Sequence, residues 1–457
     1  MVAALVPAAM LCLLLLRPVW DVDIFWQLKL GELILANGGP ILREPFAAAH
    51  LGEPLPAVAW AGQALFAAAR QAGGWTGLRL VDALCWCGGF WAVAAACRRR
   101  GSSAGATAVA LGLGFIAALA TASIRPQSFA ALAFGCLLAL LKLKLRPWIT
   151  IALALPLLVA WQNLHPSVSL AAIVLAAQAA GGWAAWARDR TRARPWAPTL
   201  LIPAAIAAMF ATPDGFAILA ISARNAQASM AVGASEWLPL WLPANWNNAV
   251  SVLVVALLSL GLVRRHFARV EWGDLAAMLM LLAMTALAYR FVLFWAIATV
   301  PVIATAATAN VAQWNARPLW GAPLAVALVA AVTPFVKPTH FSENLPMAAA
   351  AKLAETRLAG TVFTEPEFGG IAIDTGYPRW RVSYDGRYYR YTDEEWARYG
   401  DILAGNYRLR AIERRYRPVA FLLRPSHSTA LSAELDRRGS GWRRIWQDEG
   451  SAVWTRR

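Results

Sequence analysis

Asp21-Val22-Asp23-Ile24-Phe25-Trp26-Gln27-Leu28 sets two carboxylates two residues apart, just after an apolar run from Val2 to Leu16 and the exit Arg17-Pro18-Val19-Trp20. The run has the length and apolarity of a membrane helix, and it lacks the basic start and the small-residue cleavage site of a signal peptide. The acids therefore stand where a helix leaves the bilayer. Charge there is costly and marks an ion pair, a pathway or a site.

Outward from this stretch the chain keeps one character as far as Ser342. Of its 457 residues 59% are hydrophobic and only 15% charged, and 23 are Trp. A soluble chain carries roughly a quarter charged residues, so the composition is that of a polytopic α-helical membrane protein. The net charge of +16 does not point to nucleic acid. Outside the tail the basic residues lie in short clusters between apolar runs, the pattern that orients membrane helices. All five cysteines fall in or beside apolar runs, and Cys85-Trp86-Cys87 has no second pair, so neither a disulfide nor a zinc site is expected.

Eleven spans are expected, near residues 2–20, 78–97, 104–122, 127–141, 148–161, 168–186, 199–211, 249–263, 275–288, 291–309 and 319–336. Two long connections interrupt them, at 21–75 and 212–248. The first carries two interfacial helices, near 24–35 and 57–71, before Gly38-Gly39-Pro40 and Gly73-Gly74. With the N-terminus in the cytoplasm, one alternation puts every basic cluster inside: Arg98 to Arg100, Lys142 with Lys144 and Arg146, residues 188–194, Arg264 with Arg265 and Arg269, and Arg317. Both connections and the tail then lie outside. The expectation is a transmembrane domain over 1–341 and an extracytoplasmic soluble α/β domain over 342–457. In the latter, strands are expected near 360–363, 381–384 and 419–423, helices near 394–403, 407–416 and 428–438, and a closing hairpin over 442–454.

Polar residues gather at the outer ends of the expected spans: Arg17, Asp21, Asp23, Glu44, Arg125, Asn163, His165, Asp214, Glu236 and Arg290. Arginines near the headgroups suit a phosphorylated lipid, which they grip bidentately. A carboxylate can deprotonate an acceptor hydroxyl, hold a divalent cation, or stabilise an oxocarbenium-like state. Each residue also has a plainer reading. Asp21 lies four residues after Arg17, a spacing for a helix-end ion pair. Arg125 and Arg290 suit snorkelling to headgroups, His165 suits a helix end, Glu236-Trp237 an interfacial anchor, and Asp385-Gly386-Arg387 a turn. Asp82 lies inside the second span and is expected to face a helix partner.

Taken in order, Asp21-x-Asp23 with Trp26 and Leu28, Gly31, Glu44-Pro45-Phe46, Arg125-Pro126-Gln127, Asn163-Leu164-His165, Pro213-Asp214-Gly215, Glu236-Trp237, Arg290-Phe291 and Asp385-Gly386-Arg387 resemble bacterial multi-span glycosyltransferases of GT-C architecture. Those enzymes use polyprenyl-phosphate-linked sugars. The resemblance spans nearly the whole chain. It departs at Phe25 and Gln27, where such proteins carry Trp and His, and at Ala57-Val58-Ala59 before Trp60, where they often carry Asn-His-Glu. The resemblance implies an enzyme of the bacterial inner membrane. It would transfer a sugar from a polyprenyl-phosphate lipid donor to a glycan, lipid or protein acceptor on the extracytoplasmic face, with inversion. It places the catalytic or metal-linked acid at Asp21 or Asp23. The polar residues of the chain complete the expectation: Asp23 as the base with Asp21 and Glu44 as electrostatic or metal-linked partners in catalysis, Arg125, Arg290 and His165 on the donor phosphate, and Arg387 and Glu236 for acceptor contact or capping. A divalent cation, Mg or Mn, would sit on Asp21 and Asp23. A lipid-linked saccharide transporter and a non-catalytic scaffold of a polysaccharide or glycoconjugate assembly complex are the alternatives. The first predicts polar residues through the depth of the spans. The second fits the departures at 57–59.

Overall fold

The computed structural model describes residues 2–308 and 321–457. In chain order its helices are α1 (Val2–Leu16), α2 (Asp23–Asn37), α3 (Trp60–Arg99), α4 (Ala104–Ala118), α5 (Gln127–Leu143), α6 (Pro147–Leu164), α7 (Ser169–Arg188), α8 (Trp196–Ala208), α9 (Ile218–Ala231), α10 (Trp246–Arg265), α11 (Trp272–Leu287), α12 (Val292–Ala307), α13 (Gly321–Val336), α14 (Met347–Glu355), α15 (Pro366–Gly376), α16 (Asp393–Leu403), α17 (Leu409–Tyr416) and α18 (Thr429–Asp436). Among the described residues, six apolar helices are long enough to cross a bilayer and five shorter ones are similarly apolar. These are the eleven expected spans. Arg317, and the expected span ends at Ala309 and Leu319, lie outside the described residues.

By their internal contacts the residues form two compact units. One comprises 1–17, 69–218 and 230–339, the other 18–68, 219–229 and 340–457. The first outer connection thus folds with the tail. A kink lies further on, inside α3. Gly74 takes φ +59° and ψ −156° next to Gly73 at φ −139°, a conformation open to glycine. The interfacial helix ends there and the second span begins.

In the helical unit α12 is central, packed by α4, α10, α11 and α5. Its span is 83% buried, against 28% for those of α6 and α10, whose apolar faces suit lipid. Small residues allow close approach: a Cβ on Gly89 of α3 would lie 2.1 Å from the Ala131 carbonyl oxygen, and one on Gly135 2.1 Å from that of Gly89. Contacts at the span ends agree with strict alternation. Arg17 Nη1 donates to the carbonyls of Leu119 (2.5 Å) and Ala122 (2.8 Å), and Asn163 Nδ2 to Ala211 O (2.7 Å). At the opposite ends Lys142 Nζ meets Asp274 at 2.7 Å and Glu271 at 3.1 Å. Lys142 therefore ties α5 to α11, beyond the purely topological role expected of its cluster. Asp82 is 7% exposed and faces the bundle.

The other unit is a three-layer α/β domain. Its strands are β1 (Gly360–Thr364), β2 (Trp380–Val382), β3 (Pro418–Leu423), β4 (Trp442–Gln447) and β5 (Ala452–Arg456), ordered β2-β1-β3-β5-β4. The first three are mutually parallel, while β5 is antiparallel to β3 and β4. Side-chain alternation dictates the layers. Val362, Ala420 and Leu422 face one core with Trp26, Leu30, Ile34, Phe46, Phe368 and Ala372. Phe363, Phe421 and Leu423 face another with Tyr399, Ile402, Ile412 and Leu435. The first connection is thus a structural layer of the tail domain. Its α2 packs on α15, and Phe46 O accepts from Val382 N (3.0 Å), covering the β2 edge. The expected strands, helices and hairpin of the tail are all present. Helices α9, α14 and α15 were not expected. Truncating Leu30 to Ala would cost about 2–5 kcal/mol, as for other buried leucines.

Candidate functional site

Asp21 and Asp23 occupy the start of α2 in different surroundings. Asp21 is 1% exposed, and its Oδ1 accepts the Asp23 N–H at 2.9 Å, so one oxygen serves to begin the helix. Asp23 is half-buried. Its Oδ1 accepts from Trp26 Nε1 at 3.1 Å, a partner one helical turn on that fixes the carboxylate. The tail comes close here. A Cβ on Gly386 would lie 2.2 Å from Asp23 Oδ1, and one on Gly370 2.6 Å from Val22 O. The two tail glycines let α15 and the 385–387 turn press against the start of α2.

Glu44 and Arg387, distant in sequence, form a buried lock in the same unit. Arg387 Nη1 and Nη2 donate to Glu44 Oε2 (2.7 Å) and Oε1 (3.0 Å). Arg387 Nε and Nη2 also donate to Asp385 Oδ1 (2.9 Å) and Oδ2 (2.6 Å). Both side chains of the Glu44–Arg387 pair are 0% exposed. Glu44 Oε1 further accepts the N–H groups of Phe46 (2.7 Å) and Ala47 (2.9 Å). Burial alone would raise the Asp385 carboxyl, but Arg387 holds it below the usual carboxylate value. Arg387 thus has no surface for an acceptor to touch, and Glu44 has both oxygens engaged.

His50 makes a second, titratable tie in this unit. Its Nε2 pairs with Glu395 Oε2 and its Nδ1 with Glu53 Oε2, both at 3.0 Å. The Glu395 hydrogen bond raises the His50 pKa above its ordinary 6.5. Burial alone would raise Glu395, yet His50 and the Thr392 N–H bring it from 4.5 down to about 2. The histidine's contribution is complete below pH 6.5 and fades as pH rises through its raised folded value. The carboxylate's is complete above 4.5 and fades as pH falls towards about 2. The melting temperature is expected to plateau between those ordinary values and to fall by a few degrees, roughly, on the alkaline side. His50→Gln should flatten that alkaline arm in fluorescence melts, and an unchanged arm would remove the pair as its cause.

In the helical unit Arg125, His165 and Arg290 do come together. Arg290 lies over the Trp237 ring, its Cζ 3.6 Å from the centroid. Arg125 Nη1 reaches Glu236 Oε2 at 3.3 Å. Asn245 Nδ2 donates to the Ser235 and Leu238 carbonyls at 2.8 and 3.1 Å, which holds the 235–239 loop in place. His165 Nδ1 pairs with Ser167 Oγ at 2.8 Å, and that oxygen also accepts from Trp161 Nε1 at 2.9 Å. Burial, with Arg290 and Arg125 nearby, pushes the imidazole down to about 3, so it stays neutral. Arg290 Nη1 is enclosed and has no hydrogen-bond acceptor. Arg125 and Arg290 thus set two guanidiniums beside His165, a cluster in which the enclosed Arg290 Nη1 suits the oxygen of an anion. Trp237, Ser167 and Asn245 complete it. Only Trp237, in Glu236-Trp237, stood within a noted motif.

Among the described residues no three His, Cys, Asp or Glu side chains gather to hold a metal. Asp21 and Asp23 are at most a partial donor set, which Mg or Mn would complete with water and substrate oxygens.

No family model matches the chain, and no curated protein matches it. Among solved structures it matches ArnT from Cupriavidus metallidurans in the apo state, with a TM-score of 0.58 and 12% identity over 99% of this chain and 97% of that one. At this identity the likeness speaks for the fold alone: the chain has an ArnT-like fold.

Proposed function

We propose that the protein is an integral membrane glycosyltransferase that moves a sugar from a polyprenyl-phosphate donor to an acceptor hydroxyl on the extracytoplasmic face, with inversion. The observation that carries this reading is the enclosed Arg290 Nη1 without an acceptor, in a cluster with Arg125 and neutral His165. A charged donor enclosed without a partner is costly, and a phosphate oxygen would satisfy it. Asp23 takes the proton of the acceptor hydroxyl. The hydroxyl oxygen bonds to the anomeric carbon as the bond to the phosphate oxygen breaks, and that leaving oxygen keeps the bonding pair. The N-terminus is cytoplasmic and the tail domain extracytoplasmic, as the basic clusters direct.

Arg290→Gln is expected to weaken binding of a polyprenyl phosphate by roughly 10–100-fold, the worth of a charge-assisted bond, in purified chain reconstituted in nanodiscs. Unchanged binding would remove Arg290 from donor recognition. Transfer assayed with EDTA against added Mg or Mn decides whether a cation shares the Asp21 and Asp23 carboxylates. Donor binding without transfer to any acceptor would favour the scaffold reading that the residues at 57–59 suggest.

A further inference from the structure

The parallel strands β1 and β3 end side by side, and the residues just past their carboxyl ends make a second polar cluster in the tail domain. Ligands of open α/β sheets commonly bind at such an edge. Glu365, directly after β1, is 1% exposed. Its Oε1 accepts from Arg424 N (2.7 Å) and Ser428 Oγ (2.8 Å), and its Oε2 pairs with His427 Nδ1 (3.0 Å). The His427 side chain is 51% exposed, so its ring is oriented from within while Nε2 is left for a ligand. Arg424 Nη2 meets Glu367 Oε2 at 2.9 Å, both side chains partly exposed. Independently, Tyr399 is 8% exposed and its hydroxyl is buried without a hydrogen-bond partner. Its helix α16 packs on α18, which begins directly after His427 and Ser428, and the charges of Glu365, Glu367 and Arg424 act on that hydroxyl.

Charge selects the ligand class. Two carboxylates against one guanidinium give no net positive field, so a phosphate is not favoured. Both Glu365 oxygens are already occupied, and among the described residues no metal-holding group exists, so a cation is not favoured either. Donors and acceptors alternate instead: Glu367 accepts, Arg424 donates, and His427 Nε2 and the Tyr399 hydroxyl do either. We propose that this edge is an acceptor subsite for a neutral, hydroxyl-rich glycan. The proposal rests on the transferase reading. It is supported by the course of α15. Gly369 N donates to Glu365 O at 3.1 Å, and Gly369 and Gly370 press on Asp385 and Val22. The edge is therefore one helical turn from the residues that carry Asp23.

The test is saturation-transfer NMR of the full chain in nanodiscs with neutral trisaccharides built on glucose, galactose, mannose or N-acetylglucosamine. At least one is expected to bind, and Tyr399→Phe and His427→Ala are each expected to weaken it at least tenfold. Lys352→Ala, in an exposed pair on α14, should leave it unchanged. Tyr399→Phe removes only an oxygen without a partner, so it should keep the wild-type melting curve. No binding of any trisaccharide, or binding that both variants leave intact, overturns the subsite. Binding at the edge in a chain that transfers no sugar from a polyprenyl-phosphate donor upholds the glycan site and overturns the transferase reading.

Discussion

Asp23→Asn is expected to lower the rate of sugar transfer by roughly 10²–10⁴-fold, the usual contribution of a positioned general base. Donor binding should be nearly unchanged, because the donor phosphate is assigned to Arg125 and Arg290. Asparagine keeps the carbonyl oxygen that accepts from Trp26 Nε1 but cannot take a proton, so the substitution separates chemistry from architecture. Asp23 is half-buried, and no large loss of stability is expected. Gly386→Ala reaches the same group from the other side. The new Cβ would stand 2.2 Å from Asp23 Oδ1, so either the carboxylate or the 385–387 turn must shift. Its transfer rate should fall while Asp23 keeps its charge. Transfer measured in nanodiscs at saturating donor checks both variants, and a wild-type rate in Asp23→Asn removes Asp23 from the mechanism.

What could be read from the sequence follows from how local each signal is. Apolar length alone marks a span, so the spans and the tail's alternating strands were legible. The Gly73-Gly74 pair marked the end of the second interfacial helix. The role of that loop was not legible. Its α2 reads as a surface helix because Trp26, Leu30 and Ile34 form an apolar stripe, and nothing local says whether lipid or Phe368 and Ala372 will cover it. Glu44 and Arg387 pair across 343 residues, and a lone glutamate before Pro45-Phe46 resembles any loop acid. Glu365 and His427 gave no motif. Their only signal was position, directly after two segments readable as strands. Arg125, His165 and Arg290 were legible because each interrupts apolar sequence at a span end, where few polar residues compete for notice.

The largest loss of stability is expected at Arg387. Its guanidinium lies between Glu44 and Asp385, with all the ion-paired side chains 0% exposed. Arg387→Met leaves two buried carboxylates uncompensated, and breaking such a pair costs about 3–5 kcal/mol. Arg387→Lys keeps the charge but loses the fork that reaches both acids, so it should fall between Met and wild type. Glu44→Gln should cost less, about 1–3 kcal/mol, because an amide oxygen still accepts from the Phe46 and Ala47 N–H groups. Scanning calorimetry of the purified chain in nanodiscs checks these losses. A double-mutant cycle between Glu44→Gln and Arg387→Met should show strong coupling, since one contact accounts for part of both losses. The same measurements separate two roles for Glu44. If it orders the first connection against the tail, Glu44→Gln lowers stability and transfer together, and conditions that restore the fold restore the rate. If it acts on substrate, the rate falls in a chain that melts like wild type.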